Sequence, residues 1–377
     1  MADFEDSPPK RGVAVTDEQA EALVRRWTGG GVASIIRSSR GYNNRLYFVA
    51  LDDGTDAVLK LCGRFWTKVK TETEVAGLSL VGAVTDVPVP RVLGWNSSRD
   101  EVDAEYVLLS RLEGTPLDVL WPQLDQDLRM SVVRQIAALV VKIKKIRPPA
   151  GAEAHGIIGN FAIDAECETD RRNPASAFTI GKTVDQGIGP WPSYTAYLRE
   201  SLTKEMRDLE TDPVFAQARP ILLKRLKKFV SGIDTNERIP VCKQAVFTHG
   251  DLNMPNILVE PDTESDSMLV VGLLDWEWAG FFPPQDEYSA SLDFLGDGAE
   301  RTESSLAQAF FDVLESAGVA TPRTMDGWAD TVLLSELRDS IAHWSLKGEP
   351  DLSSADVVAR VVERAHRAMA ALEQLGG

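Results

Sequence analysis

Cysteine and histidine are scarce in this chain of 377 residues, which holds three of the first and four of the second. Cys62, Cys167 and Cys242 fall at no metal-ligand spacing and are too few for a disulfide framework. Cys62 and Cys242 stand among apolar neighbours and read as small buried hydrophobes. His155, His343 and His366 stand alone and read as structural or surface residues. Apolar runs are short, none approaching the roughly 20 residues of a membrane span. The opening MADFEDSPPKRG lacks the hydrophobic stretch of a signal peptide. The expected location is therefore cytoplasmic, with no membrane partner. Positive charge is also in deficit: 40 Lys and Arg face 57 Asp and Glu, a net charge of −17. Nucleic-acid phosphates would be repelled, which argues against that partner. The acidity admits a cationic ligand, and equally it serves solubility alone.

Hydrophobic residues make up 44% of the chain and charged residues 26%, the composition of an ordinary globular protein. Its length exceeds what one core usually organises, so two lobes are expected. Residues 1–13 read as a disordered arm. DEQAEALVRRW reads as a helix capped by Thr16 or Asp17. ASIIRSSRGYNNRLYFVAL reads as strand, polar turn and strand, and DAVLKLC follows as a third strand after Asp52-Asp53-Gly54. A helix is expected over WTKVKTETEVAGLSLVGAV, then a proline-marked extended link in VPVPRVLGWN, a strand in AEYVLLSRL and a loop in EGTPL. Beyond about residue 112 the pattern turns helical. Leu128, Val132, Val133, Ile136, Leu139, Val140 and Ile143 share one helical face. Residues 148–193 are rich in Gly, Pro and polar residues, and read as a lid or hairpin insert. Helices are expected at 193–210, at 213–231 and in the tail, SSADVVARVVERAHRAMAALEQL, capped by Ser353 or Ser354.

Chemistry concentrates between short apolar runs. In AVFTHGDLNMPNILVE the hydrophobic residues stop at His249, Asp251, Asn253 and Asn256 and resume at Ile257. MLVVGLLDWEWAG ends a further strand in Asp275. Asn256 and Asp275 are the oxygen ligands that a phosphate-bound Mg²⁺ takes, and Asp251 is then free to accept a proton from an attacking hydroxyl. The other reading is Asx turns at strand ends. Lys60 is the only charge inside DAVLKLC; strand alternation puts it with Val58 and Cys62 on one face. It either snorkels to solvent or points at nucleotide phosphates, held by a helix carboxylate. Of the two candidates, Glu74 lies in register with Leu78 and Val81 and Glu72 does not, so Glu74 is the expected partner. SSRGYNNRLY holds one glycine, Gly41, and reads as a hairpin turn or as a phosphate cover in which Asn43, Asn44, Ser38 and Ser39 offer side-chain hydrogen bonds. Glu277, Asp286, Glu287 and Asp293 are candidates to greet a cationic acceptor, with Asp286 alternatively bracing the segment. Trp276, Trp278, Phe281 and Phe282 would form an aromatic face or simply core. Trp191 and Tyr194, ending the insert, are placed to cover an acceptor.

HGDLNMPNIL resembles the catalytic loop, and LLDWEWAG the metal-binding segment, of the aminoglycoside phosphotransferase and choline kinase-like superfamily, which shares the protein-kinase fold. VLKL with TETEVAGLSLV is similar to its lysine strand and partner helix, and VPVPRVLG with YVLLSRLEGTPL to its linker and hinge. The resemblance runs from about residue 34 to 295. It implies a bilobal α+β protein-kinase-like fold, with a β-rich N-lobe at 14–112 and a mostly helical C-lobe at 113–377. It also implies that Asp251 is the catalytic base, that Asn256 and Asp275 bind Mg²⁺, and that Lys60 with Glu74 holds ATP phosphates. Leu109 to Leu112, with Arg111 among them, would hydrogen-bond adenine through backbone atoms. His-Gly-Asp replaces His-Arg-Asp, Asp-Trp-Glu replaces Asp-Phe-Gly, and no Ala-Pro-Glu follows. Those departures favour a small hydroxylated acceptor over a protein. A nucleotide-binding scaffold without chemistry is the alternative.

Overall fold

A computed structural model describes residues 13–373, apart from 64, 67, 150–151, 153–156, 164–177, 237–238, 240–244, 291, 297–299 and 343–354. Cys167, Cys242, His155, His343 and the Ser353–Ser354 cap lie outside the described residues, as does the expected arm up to residue 12. Val13, at the end of that arm, is buried, as is Val15.

Helix α1 (Asp17–Thr28) begins at Thr16, whose hydroxyl accepts from the amide of Gln19 while the Gln19 side chain accepts from the amide of Thr16. It lies against a five-stranded antiparallel sheet of β1 (Val32–Arg37), β2 (Asn44–Leu51), β3 (Asp56–Cys62), β4 (Val92–Asn96) and β5 (Glu105–Ser110), in the order β1-β2-β3-β5-β4. The expected proline-marked extended link becomes the edge strand of this sheet from Val92. Alternation along β3 sends Ala57, Leu59 and Leu61 into a core shared with α1 and with Tyr106 and Leu108 of β5. Lys60 faces the other way. There α2 (Val69–Val84) packs, buried along most of its length; it starts three residues later than the sequence suggests. At Gly77 an added Cβ would lie 3.3 Å from the Cβ of Ala279 and 3.6 Å from that of Trp276. The missing side chain is what lets α2 sit directly on the Asp275 segment.

The second half opens with a two-residue strand β6 (Thr115–Pro116) inside the expected EGTPL loop, then α3 (Leu117–Leu120) and α4 (Gln126–Lys144). On α4 Val132, Val133, Ile136, Val140 and Ile143 are buried as the helical face predicts, and Leu128 and Leu139 pack at its margin. The insert builds a hairpin, β7 (Gly159–Ile163) with β8 (Phe178–Ile180), and α5 (Tyr194–Thr211) and α6 (Arg219–Ser231) follow. Two small sheets then carry the polar loops. β9 (Val246–Thr248) ends just before His249, and β10 (Ile257–Pro261) starts just after Asn256; β11 (Met268–Leu273) leads into Asp275, and β12 (Gly280–Phe282) leaves the segment. β10 pairs with β11 and β6, while β12 pairs with β9 and β7. Those two pairings, Ile257 with Leu273 and Gly280 with Thr248, force loops 249–256 and 274–279 side by side. Short helices α7 (Asp286–Ala290) and α8 (Glu300–Glu303), then α9 (Ser305–Ser316), α10 (Trp328–Ile341) and α11 (Ala355–Glu373), complete the chain. No helix among the described residues is long and apolar enough to cross a membrane.

Candidate active site

A cleft of about 730 Å³ opens between the five-stranded sheet and the two polar loops, lined among others by Gly41, Lys60, Leu109, Asp251, Asn256 and Asp275. Lys60 supplies one contact between its walls. Its Nζ lies 2.6 Å from Oε1 of Glu74 and 2.8 Å from Oδ1 of Asp275. Glu72 is not its partner and accepts instead from Ser97 Oγ. Burial opposes the charge on Lys60, but Asp275, Glu74 and Glu277 outweigh it and raise its pKa well above the ordinary lysine value. Burial pushes Asp275 up, Glu277 adding to it against Lys60. Asp275 also sits at φ +63°, a left-handed backbone uncommon for a residue with a side chain and frequent at functional sites.

The loop bearing Asp251 is fixed from both ends. His249 Nε2 is 3.0 Å from the carbonyl of Leu274 and therefore carries the hydrogen, leaving Nδ1 to accept from the amide of Asp251 at 3.3 Å. Burial drops the imidazole to about 4, so it is neutral; it lies against Trp276 with centroids 4.4 Å apart. Gly250, at φ +82°, leaves no room for a Cβ, which would meet the Trp278 carbonyl at 2.7 Å. Glu287 accepts from the amides of His249 and Gly250 and from Lys144 Nζ at 2.6 Å. Both carboxylate oxygens of Asp251 accept amide hydrogens, Oδ1 from Asn253 Nδ2 at 2.7 Å and Oδ2 from Asn256 Nδ2 at 3.0 Å. Burial, with Asp275 and Glu277, pushes Asp251 up to about 8. Asn256 gives its amide nitrogen to Asp251, and its side-chain oxygen is of the kind a hard metal ion takes. Two hard oxygen donors, with lysine already at the second carboxylate, suit a magnesium ion that bridges phosphates.

Several expected roles are redirected. Asn43 and Asn44 line the cleft, and Nδ2 of each gives one hydrogen to Glu277, at 2.7 and 2.8 Å. A buried carboxylate outcompetes any weaker acceptor for those hydrogens. Glu277 is in turn no greeter of cations but a buried residue beside Lys60 and Lys70, and Lys70 above all holds its carboxyl down at about 2 against burial. The amide of Arg111 is committed to the Asp56 carbonyl, and its guanidinium pairs with Asp56 and covers the Phe48 ring. Glu287 braces the loop that bears Asp251, while Asp286 accepts from Tyr197 and Asp293 accepts from the amide of Met254. Trp276, Phe281 and Phe282 are core, as are Trp191 and Tyr194. Trp278 is half-buried, edge-on to Trp66 at 5.2 Å. Sequence reasoning passed over Lys70, Lys144 and Asn160, whose Nδ2 holds the carbonyls of Trp278 and Ala279.

The model of the phosphotransferase enzyme family matches residues 34–304. A subtelomeric hrmA-associated cluster protein of Aspergillus fumigatus is 23% identical over 299 residues, covering 66% of this chain and 58% of that protein. The chain thus spans well under two thirds of the length of that relative. Among solved structures, a putative aminoglycoside phosphotransferase from Ralstonia eutropha is 16% identical with a TM-score of 0.58, covering 94% of this chain and 96% of that one. The streptomycin–ATP ternary complex of APH(2")-IIa has a TM-score of 0.55 at 9% identity, covering 94% and 98%. Those two likenesses establish the bilobal kinase-like fold.

Proposed function

The chain belongs to the phosphotransferase enzyme family, and on that premise we propose that it transfers the γ-phosphoryl group of ATP to a hydroxyl of a small molecule in the cytoplasm. Residues 14–112 form the nucleotide lobe in this reading and 113–377 the catalytic and acceptor lobe. The observation that carries it is Lys60, bonded to both Glu74 and Asp275 at the cleft that holds Asp251 and Asn256.

Asn256 and Asp275 would hold Mg²⁺, which when bound neutralises charge on the transferred phosphoryl. Lys60, held in place by Glu74, pairs with phosphate oxygens. Leu109 and its neighbours on β5 flank the base. Asp251 accepts the acceptor hydroxyl's proton at its carboxylate, which Asn253 and Asn256 hold in one orientation. Positioning and charge neutralisation carry the rate, as little covalent chemistry falls to the protein. A small acceptor is favoured over a protein because no Ala-Pro-Glu follows Asp275.

The test has two arms. Wild-type protein should bind ATP only with Mg²⁺, measured by thermal shift, and should consume ATP with some member of a panel of hydroxylated metabolites. Asp251→Asn should keep that binding and lose turnover by about 10³-fold, within the range of a lost catalytic base. Undiminished turnover in Asp251→Asn would remove the base from this account. Binding without transfer to any acceptor would favour the scaffold reading.

A further inference from the structure

We propose that Glu277 is the anchor of the turn over the phosphates. Through Asn43 and Asn44 it ties residues 38–44 of the first half to the Asp275 segment of the second, so that nucleotide affinity depends on a carboxylate touching neither nucleotide nor metal. The inference rests on the nucleotide reading above and assigns Glu277 a positioning role within it.

The geometry is a closed ring. Oε1 of Glu277 accepts from Asn43 Nδ2 at 2.7 Å and Oε2 from Asn44 Nδ2 at 2.8 Å. The other end of the Asn44 amide accepts from Lys70 Nζ at 2.6 Å, and Lys70 lies 3.5 Å from Oε2 of Glu277. Lys60 stands 3.8 Å from the same oxygen. Glu277 and Lys70 are each only 1% exposed, and Asn44 is 3% exposed. A buried carboxylate with both oxygens occupied by donors 233 and 234 residues away is a cross-link between two parts of the fold, not a surface ion pair.

The turn needs such a link because it lacks the usual means of closing on phosphates. It carries one glycine, Gly41 at φ +89°, where a Cβ would strike the Asn44 carbonyl at 2.8 Å. Gly41 sets the bend and the two asparagines set where the bend is held. Ser39, Arg40, Gly41 and Tyr42, between Ser38 and those anchors, line the cleft. Two amide donors require two acceptor oxygens at one residue, which glutamate supplies and glutamine does not. Lys70, on the first turn of α2, offsets the buried charge and orients the Asn44 amide.

Carboxylate oxygens of Glu74, Asp275 and Glu277 lie within 4.8 Å of one another, so a third metal ligand is the competing role for Glu277. The two roles separate in calorimetric titration with AMP-PNP at saturating Mg²⁺. As an anchor, Glu277 makes Asn43→Ala weaken AMP-PNP binding about tenfold, the loss expected of one hydrogen bond to a charged group. Asn43 is partly exposed, so the melting temperature should hardly move. Glu277→Gln should weaken binding at least as much, without changing the Mg²⁺ concentration at half-saturation. The pair Glu277→Gln with Asn43→Asp puts an amide donor opposite a carboxylate again, keeps the total charge, and should recover part of the loss.

Asn43→Ala binding as tightly as wild type overturns the anchor. So does a Glu277→Gln whose defect is confined to its Mg²⁺ dependence. Wild-type protein that fails to bind Mg²⁺–AMP-PNP at all would overturn the nucleotide reading and the anchor with it; wild-type binding with no defect in the variants overturns the anchor alone.

Discussion

On one side of the cleft two lysines, Lys60 and Lys70, meet three carboxylates, those of Glu74, Asp275 and Glu277. On the other side the Asp251 carboxylate accepts from the amides of Asn253 and Asn256. Both groups are screened from water, yet Lys60 is driven firmly to its charged form while Asp251 is pushed up to about 8. The neighbouring charges are the same in sign, carboxylates around a lysine in the first case and around another carboxylate in the second, where they add to burial. Glu277, a buried carboxylate beside both lysines, is held down at about 2 and stays ionised; Asp251, with amides as donors and other acids nearby, does not until positive charge arrives. The lysine side therefore binds the fold together as it stands, and the Asp251 side gains its full charge only when a cation joins it.

Glu205 on α5 is a second acid of the Asp251 kind, in a place where no chemistry is proposed. Gln186 donates to its Oε1 at 2.8 Å, and its Oε2 is buried without a hydrogen-bond partner. Burial pushes it up to about 7.

The comparison breaks most visibly at Lys60. Lys60→Met leaves Asp275, Glu74 and Glu277 with Lys70 as their remaining lysine, and removing one partner of a buried pair costs about 3–5 kcal/mol. A lowered melting temperature and loss of measurable Mg²⁺–ATP binding are expected. A variant that melts with wild type and still binds would show that the three acids need no lysine at that position.

Glu205 sharpens the comparison with a smaller effect. Its pKa is higher in the fold than the ordinary 4.5, so the folded protein holds the proton more tightly. Stability attributable to it falls as pH rises from about 4.5 to about 7 and is level above that window. Glu205→Gln removes the penalty. Its melting temperature should match wild type near pH 4.5 and exceed it at pH 8, by an amount equivalent to at most about 3 kcal/mol. An advantage of equal size at both pH values would mean that packing, not ionisation, sets it.

How far these contrasts could be read from residues alone follows from their range. Lys60 was legible because one charge in an alternating strand must leave the apolar face, and Glu74 because helical register separates it from Glu72. Asp251, Asn256 and Asp275 stand out as polar residues at the ends of short apolar runs. Lys70 was not legible: in TKVKTETE it looks like one more charge on a solvated helix start, and only the approach of Glu277 from 207 residues away makes it a buried counter-ion. Asn43 and Asn44 were legible as donors but not their acceptor, since that is a matter of which carboxylate the fold brings nearest. The aromatic residues after Asp275 carry no local sign of burial, and the β12 pairing with β7 and β9 is what turns Phe281 inward.

Where a metal–nucleotide sits decides the roles of Asn256, Asp275 and Glu277, and a crystal structure of the protein with Mg²⁺ and AMP-PNP tests that directly. The predicted result has the metal on Asn256 Oδ1 and the Asp275 carboxylate, Lys60 Nζ on a phosphate oxygen, and Glu277 still bonded to Asn43 and Asn44. A metal held by Glu74 and Glu277, with Asn256 remote from it, would contradict it.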